Sequence, residues 1–319
     1  MLELNSKQQT ANIYSLLYIN NNDHNTIVSE NGNASIKSYI NCCNTLNKSL
    51  QKYGFYLTVL TNKPEEISKY NYDIKVEEIK FSLSVPSGIR FFSAHYKIDA
   101  FKYLSENTIG YSVLLDNDVI CINDIPENFR EIILQNIPVY YDITDQVYPA
   151  YGRKKIILDK SLIMRDNSIG NWAGGEFIGG DKIFWNELYN NCIYFWENYQ
   201  NNYKILHHQG DEMLISCALE KYIKSNKCIF NIGTIGGISR FWSVKTLHIG
   251  KPIEALYDNF LLHLPADKEF LSSYKYVDNN MFRKEYEEYL KYKKKKTLRV
   301  YIIKIKEKIK RLLKGKNCA

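Results

Sequence analysis

Two carboxylates one residue apart, Asp116 and Asp118, close the run Tyr111-Ser-Val-Leu-Leu-Asp-Asn-Asp118. The run is apolar and rich in strand formers. Side chains in a strand alternate with period two, so the two acids point the same way. Carboxylates held together repel each other unless a cation neutralises them. A divalent metal that also holds a diphosphate accounts for the pair economically. A strand running into a turn, with both acids as solvated turn formers, accounts for it as well.

Five further segments carry residues of chemical interest. Trp172-Ala-Gly-Gly-Glu-Phe-Ile-Gly-Gly180 is glycine-rich. Glycines let a backbone approach a ligand closely, and they also make tight loops between a strand and a helix. His207-His-Gln-Gly-Asp-Glu-Met-Leu214 sets Asp211 beside Glu212. Such acids can stabilise a developing cation, act as a nucleophile or anchor a hydroxyl. Acids in the first turn of a helix are also favoured by its dipole, with no chemistry attached. Histidines stand in Leu247-His-Ile-Gly-Lys-Pro252 and in Phe260-Leu-Leu-His-Leu-Pro-Ala-Asp-Lys268. Lys97, in Ser93-Ala-His-Tyr-Lys-Ile-Asp99, lies one helix before the carboxylate pair.

In this order the segments resemble nucleotide-sugar glycosyltransferases of the GT-A fold. Asp116-Asn-Asp118 looks like their DXD motif. The Trp172 segment resembles the acceptor-binding segment of the retaining blood-group transferases and the Asn-Ala-Gly segment of the glycogenin and lipopolysaccharide galactosyltransferase family. Asp211, Glu212 and Leu214 match an acidic pair and the apolar position that follows it in those families. The likeness spans residues 10 to 270 and is a patchwork of the two families.

The resemblance implies an α/β fold of the GT-A type, a Rossmann-like mixed sheet flanked by helices. It implies a Mn²⁺ or Mg²⁺ ion on Asp116 and Asp118, completed by a histidine. His263 follows the better strand and has Lys268 at nearly the family spacing, so His263 is the expected metal ligand and Lys268 the diphosphate ligand. His248 is the runner-up; it has the Gly and Lys-Pro, but its lysine comes too early. Lys97, Asp116 and Asn117 are expected to hold the donor, and Trp172, Gly174, Gly175 and Glu176 the acceptor. Asp211 and Glu212 are expected to flank the reacting carbon. The implied reaction moves a hexose or N-acetylhexosamine from a UDP-sugar, with retention of configuration.

The elements that must position these residues are legible for the first half. Ile13 to Ile19 reads as a buried first strand, followed by a polar loop from Asn20 to Asn33. Ala34 to Tyr53 has helical spacing on Ile36, Tyr39, Ile40, Cys43 and Leu46, with Gly54 as the stop. Phe55 to Leu60 and Tyr72 to Phe81 read as strands, and Ser93 to Leu104 as a helix. This alternation predicts a mostly parallel sheet with helices around it. Ligands collect at the carboxyl ends of such strands, where Asp116 falls. Beyond it, Ile137 to Ile143 and Lys227 to Ile232 read as strands. Lys182 to Asn201 reads as a helix whose aromatics are mostly core, and a helix starts at Gly210. Asp145 to Asp166 shows no clear period and is expected to be a mobile loop.

The 319 residues are 45% hydrophobic and 24% charged, an ordinary globular composition. No run approaches the length of a spanning helix, and the first residues lack the apolar core of a signal peptide. Seven cysteines, none in a C-x-x-C pair, suggest neither a zinc site nor a disulfide framework and fit a reducing cytoplasm. The net charge of +7 is unevenly placed. Residues 291 to 316 hold thirteen bases and one acid, leaving 29 bases and 34 acids elsewhere, a balance of −5. A nucleic-acid-binding globule would spread its basic residues over the body, so no nucleic acid is expected.

Within that basic segment Leu298, Ile302, Ile305, Ile309 and Leu312 recur at spacings of 4, 3, 4 and 3, one face of a helix. A basic amphipathic helix reads as an interfacial anchor on anionic lipid, and each basic residue near such a leaflet adds about 1 kcal/mol. An RNA-binding arm, or a helix packed on the body, would share the pattern. The expected division is a catalytic domain over residues 1–280 and a membrane-associating tail over 281–319. With a GT-A domain, this places the protein in the cytoplasm, on the inner face of the cell membrane. There it would act on a lipid-linked glycan such as a lipopolysaccharide or capsule precursor. The alternatives are a sugar-phosphate nucleotidyltransferase, which should carry a Gly-rich loop after the first strand where Asn-Asn-Asn-Asp-His-Asn stands, or a non-catalytic carbohydrate-binding protein docked on a membrane.

Overall fold

Seven strands form one mixed sheet that puts the ends of its central strands, and the Asp116–Asp118 turn, on one edge. The computed structural model describes residues 11–20, 28–29, 32–33, 35–276 and 278–315. In chain order the strands are β1 (Asn12–Leu17), β2 (Val28–Ser29), β3 (Gly32–Asn33), β4 (Leu57–Thr61), β5 (Lys75–Glu78), β6 (Ser112–Leu115), β7 (Val119–Cys121), β8 (Val139–Asp142), β9 (Ala173–Gly180), β10 (Phe230–Asn231), β11 (Ile238–Arg240) and β12 (Leu261–His263). The helices are α1 (Ile36–Gln51), α2 (Pro64–Ser68), α3 (Lys97–Asn107), α4 (Glu127–Leu134), α5 (Thr144–Tyr151), α6 (Arg153–Met164), α7 (Lys182–Asn202), α8 (Asp211–Lys224), α9 (Lys268–Ser273) and α10 (Asn279–Gly315).

The large sheet runs β10-β8-β9-β6-β1-β4-β5. β1 is central and pairs in parallel with β4 and β6, and β9 is antiparallel to both its neighbours. A small sheet, β11-β12-β7, carries the antiparallel pair β12 and β7. This is the helix-flanked mixed sheet expected from the sequence. Strands buried on both faces read as continuous apolar runs, and β1, β4 and β6 do so through Ile13, Leu57, Val59, Val113 and Leu115.

α1 starts where the Ser35 side chain accepts the Ser38 amide, and its Tyr39, Ile40, Cys43 and Leu46 are buried. α7 packs against α3 and α8, and its Phe184, Trp185, Phe195, Trp196 and Tyr199 belong to the core as expected. Two regions differ from the sequence reading. Residues 145 to 166 form the helices α5 and α6, not a loop. Gly152, at φ +80°, separates them. The period was masked because α6 turns Asp159 and Lys160 inward with Ile156 and Ile163, each charge meeting a buried partner. The glycine-rich segment is a fully buried strand, β9, where composition had equally suggested a tight loop.

The chain divides into two compact units, Met1–Lys275 and Tyr276–Ala319. The second is built on α10, 37 residues long. Leu298 and Ile305, two of the five stripe positions, are exposed. The side chains of Ile302, Ile309 and Leu312 lie outside the described residues. Among the described residues no helix is long and apolar enough to cross a membrane.

Candidate metal centre and cavity

The chain leaves β6 at Leu115, turns through Asp116, Asn117 and Asp118, and enters β7. β7 pairs antiparallel with β12, which sets His263 opposite Val119, and the Leu264 amide donates to the Asp118 carbonyl at 2.9 Å. His263 Nε2 therefore lies 3.0 Å from Asp118 Oδ1. One ligand atom each from Asp116, Asp118 and His263 fall within 4.8 Å of one another. Two carboxylates and an imidazole are a donor set suited to Mn²⁺ or Mg²⁺. His248 is placed elsewhere, its ring centroid 5.9 Å from that of Tyr151 and 5.7 Å from that of Trp242.

Two lysines compensate the aspartates. Lys97, at the start of α3, reaches Asp116 Oδ1 at 2.7 Å, Asp211 Oδ2 at 2.8 Å and the Gly175 carbonyl at 2.8 Å, which uses all three of its donors. Lys268, at the start of α9, pairs with Asp118 Oδ2 and donates to the Pro265 carbonyl at 3.1 Å. Desolvation in the cavity raises the Asp116 carboxyl, with Lys97 opposing and Asp118 adding to the rise. Burial works against the Asp118 carboxylate too, but Lys268 and His263 outweigh it and hold the group well below the usual range. Burial likewise disfavours the His263 cation; Asp118 and Glu176 overcome it and lift the imidazole to about 9.

A second layer of charge lies behind this one. Glu176, in β9, is fully buried. Arg240 closes β11 and grips it with Nε at 2.7 Å and Nη2 at 2.5 Å; the same Nη2 meets Glu212 at 2.6 Å. His263 Nδ1 lies 3.2 Å from Glu176 Oε1, so the carboxylate backs the imidazole, as outer partners of metal ligands do. The Trp172 indole donates to Glu212 Oε2 at 3.0 Å. Burial opposes ionisation of Glu212, but Arg240 and then His208 overcome it and bring the group down to about 2.

The expected acceptor residues thus point into this network. Glu176 spends both oxygens on Arg240, and the Trp172 ring is wholly buried against His207 and His208. The glycine pair makes room for charges, where the sequence suggested room for a ligand. A Cβ at Gly174 would strike the Glu176 carboxylate, and one at Gly175 would lie 2.6 Å from Asp211 Oδ2 and 2.9 Å from Lys97 Nζ. Asn117 turns inward as well. Its Nδ2 donates to the Leu16 carbonyl at 2.9 Å and its Oδ1 accepts from Ser15 Oγ, tying the turn to β1.

One cavity of about 820 Å³ is lined by Asp116, Asp118, His263, Lys97, Lys268, Asp211, Glu212, Arg240 and Trp172 among others. Sequence reasoning missed Arg240. Its signal was faint: period two puts it on the same side of the three-residue strand β11 as the buried Ile238, an inward arginine. An inward arginine demands a buried carboxylate.

No family model and no curated protein matches the chain. Among solved structures, a crystal structure of an active-site mutant of LgtC is similar, with 12% identity and a TM-score of 0.47 over 84% of this chain and 98% of that one.

Proposed function

We propose that this chain is a metal-dependent glycosyltransferase. It moves a hexose or N-acetylhexosamine from a UDP-sugar to a lipid-linked bacterial surface glycan, with retention of configuration. The observation that carries the reading is the convergence of Asp116, Asp118 and His263 at the carboxyl end of a central parallel strand, in a cavity. The order of motifs along the chain supports the donor class.

Asp116, Asp118 and His263 would hold Mn²⁺ or Mg²⁺. Bound there, the ion neutralises the diphosphate as the glycosidic bond breaks. Lys97 and Lys268, paired with Asp116 and Asp118 in this structure, stand where they would hold the donor, Lys268 at its diphosphate. Asp211 shares the Lys97 ammonium with Asp116, and Glu212 lines the same cavity; these carboxylates would favour positive charge on the reacting carbon. Arg240 and Trp172 hold Glu212 in place and keep it ionised. The acceptor hydroxyl attacks from the face the leaving group departs, and its proton passes to the diphosphate oxygen.

The exposed Leu298 and Ile305 on α10, with the thirteen bases of residues 291–316, support interfacial binding to anionic lipid. The test of the reaction is product analysis. A lipid-linked acceptor, a UDP-sugar panel and Mn²⁺ should give one glycoside with the donor's anomeric configuration by NMR and none with EDTA. An inverted linkage would remove the retaining mechanism, and equal yield with EDTA would remove the metal.

A further inference from the structure

One wall of the cavity carries two polar groups that the protein itself leaves unanswered. His207 Nε2 and Trp242 Nε1 are both shielded from water and have no hydrogen-bond partner among the described residues. Both residues line the cavity. A buried polar atom without a partner costs about 1–3 kcal/mol, so each such atom calls for an explanation.

The two groups are opposite in kind. The His207 backbone amide and Nδ1 both reach Asp159 Oδ2, at 2.8 and 2.6 Å, and Lys155 completes the carboxylate at 2.8 Å. Lys155, with His207, holds the Asp159 carboxyl below its usual range against the effect of burial, so it only accepts. The proton therefore sits on Nδ1 and leaves Nε2 a bare acceptor. Burial also lowers the His207 pKa, which keeps the ring neutral. Trp242 Nε1 can only donate. A run of rings joins them: His207 lies 4.7 Å from Tyr151 and 5.1 Å from Trp172, and His248 lies 5.9 Å from Tyr151 and 5.7 Å from Trp242, centroid to centroid.

An acceptor, a donor and aromatic faces together match a polyol, since each hydroxyl both donates and accepts and each C–H face is apolar. We infer that the wall formed by His207, Tyr151 and Trp242 is the subsite for the acceptor sugar, one hydroxyl donating to His207 Nε2 and one accepting from Trp242 Nε1. This rests on the glycosyltransferase reading and adds its acceptor-recognising residues. Asp159 is a positioning residue that fixes the tautomer.

The experiment is NMR of the full chain with ¹⁵N-labelled tryptophan, titrated with methyl glycosides of glucose, galactose and N-acetylglucosamine. The Trp242 indole signal, identified by its loss in Trp242→Phe, should move with at least one glycoside. The Trp185 signal should stay, because that indole already donates to the Gly180 carbonyl at 3.1 Å. His207→Phe should weaken the glycoside about tenfold, as the loss of one hydrogen bond does. A Trp242 signal that no glycoside moves, or the same affinity in His207→Phe, overturns the inference. So does a shift seen with UDP-sugars and not with glycosides, because the wall would then hold the donor. Nucleotide release in the absence of glycoside separates the two readings. Release with an unmoved Trp242 removes only this subsite, and a moved Trp242 without release removes only the transfer reaction.

Discussion

Arg240 and Glu176 form a two-point ion pair, Nε to Oε1 at 2.7 Å and Nη2 to Oε2 at 2.5 Å, beneath the candidate metal centre. β11 and β9 belong to different sheets, so the pair joins the sheet bearing His263 to the sheet bearing Asp116. Removing the guanidinium takes from Glu176 its two-point partner and from Glu212 its nearest cation. Arg240→Met should cost about 3–5 kcal/mol in denaturant unfolding. Glu212 titrates near 2 in the folded protein, below its ordinary 4.5. Its contribution is therefore complete above pH 4.5 and lost as the pH falls toward 2. The gap between wild type and Arg240→Met should accordingly narrow below pH 4.5. A gap that stays constant through that range would show that the carboxylates do not need the arginine.

His263 gives the opposite sign. Its folded pKa of about 9 lies above the ordinary 6.5, so its charge stabilises the metal-free protein fully below 6.5, and this is lost as the pH rises through 9. A metal on Nε2 must displace that proton. Affinity for Mn²⁺ should then rise about tenfold per pH unit from neutrality toward 9, one proton released per ion. Calorimetry in buffers of different ionisation enthalpy counts that proton. Affinity independent of pH would mean that His263 is not a ligand.

Gly175 is fixed by the charges around it. In Gly175→Ala the new methyl meets Asp211 and Lys97, and Lys97 must release one of its partners. The protein should lose about 1–3 kcal/mol of stability, as overpacked sites do, together with most nucleotide release. Gly179→Ala, in the same strand, meets Val139 at 2.9 Å away from the charges. It should lose stability and keep release. Equal activity in both variants would separate the glycine pair from the site.

Removal of residues 291–319 should shift the protein from anionic vesicles to the supernatant in a sedimentation assay, and added salt should weaken binding of the full chain. Unchanged partitioning of the truncated chain would end the anchoring role of the tail.

The sequence displayed what hydrophobic periodicity can display. β1, β4, α1 and α7 were visible because their inward faces are apolar. The candidate metal ligands were visible because Asp116 follows β6, Asp118 precedes β7 and His263 ends β12, where a polar residue interrupts an apolar run. α6 and β9 were not. Their inward positions hold Asp159, Lys160 and Glu176, whose partners His207, Glu220 and Arg240 are 48, 60 and 64 residues away. A buried charge looks like a surface residue until its partner is known. The same reason hid Arg240 and the inward turn of the glycine pair.

The central claim is that Asp118 and its neighbours bind a metal which serves a nucleotide sugar. The direct measurement is nucleotide release from a panel of UDP-, GDP- and CMP-sugars with Mn²⁺ or EDTA, for wild type beside Asp118→Asn. Wild type should release nucleotide from a UDP-sugar with Mn²⁺, lose this with EDTA, and exceed the variant by at least about a hundredfold, the scale of a lost transition-state charge contact. Release that survives EDTA, or an Asp118→Asn protein as active as wild type, would contradict the assignment.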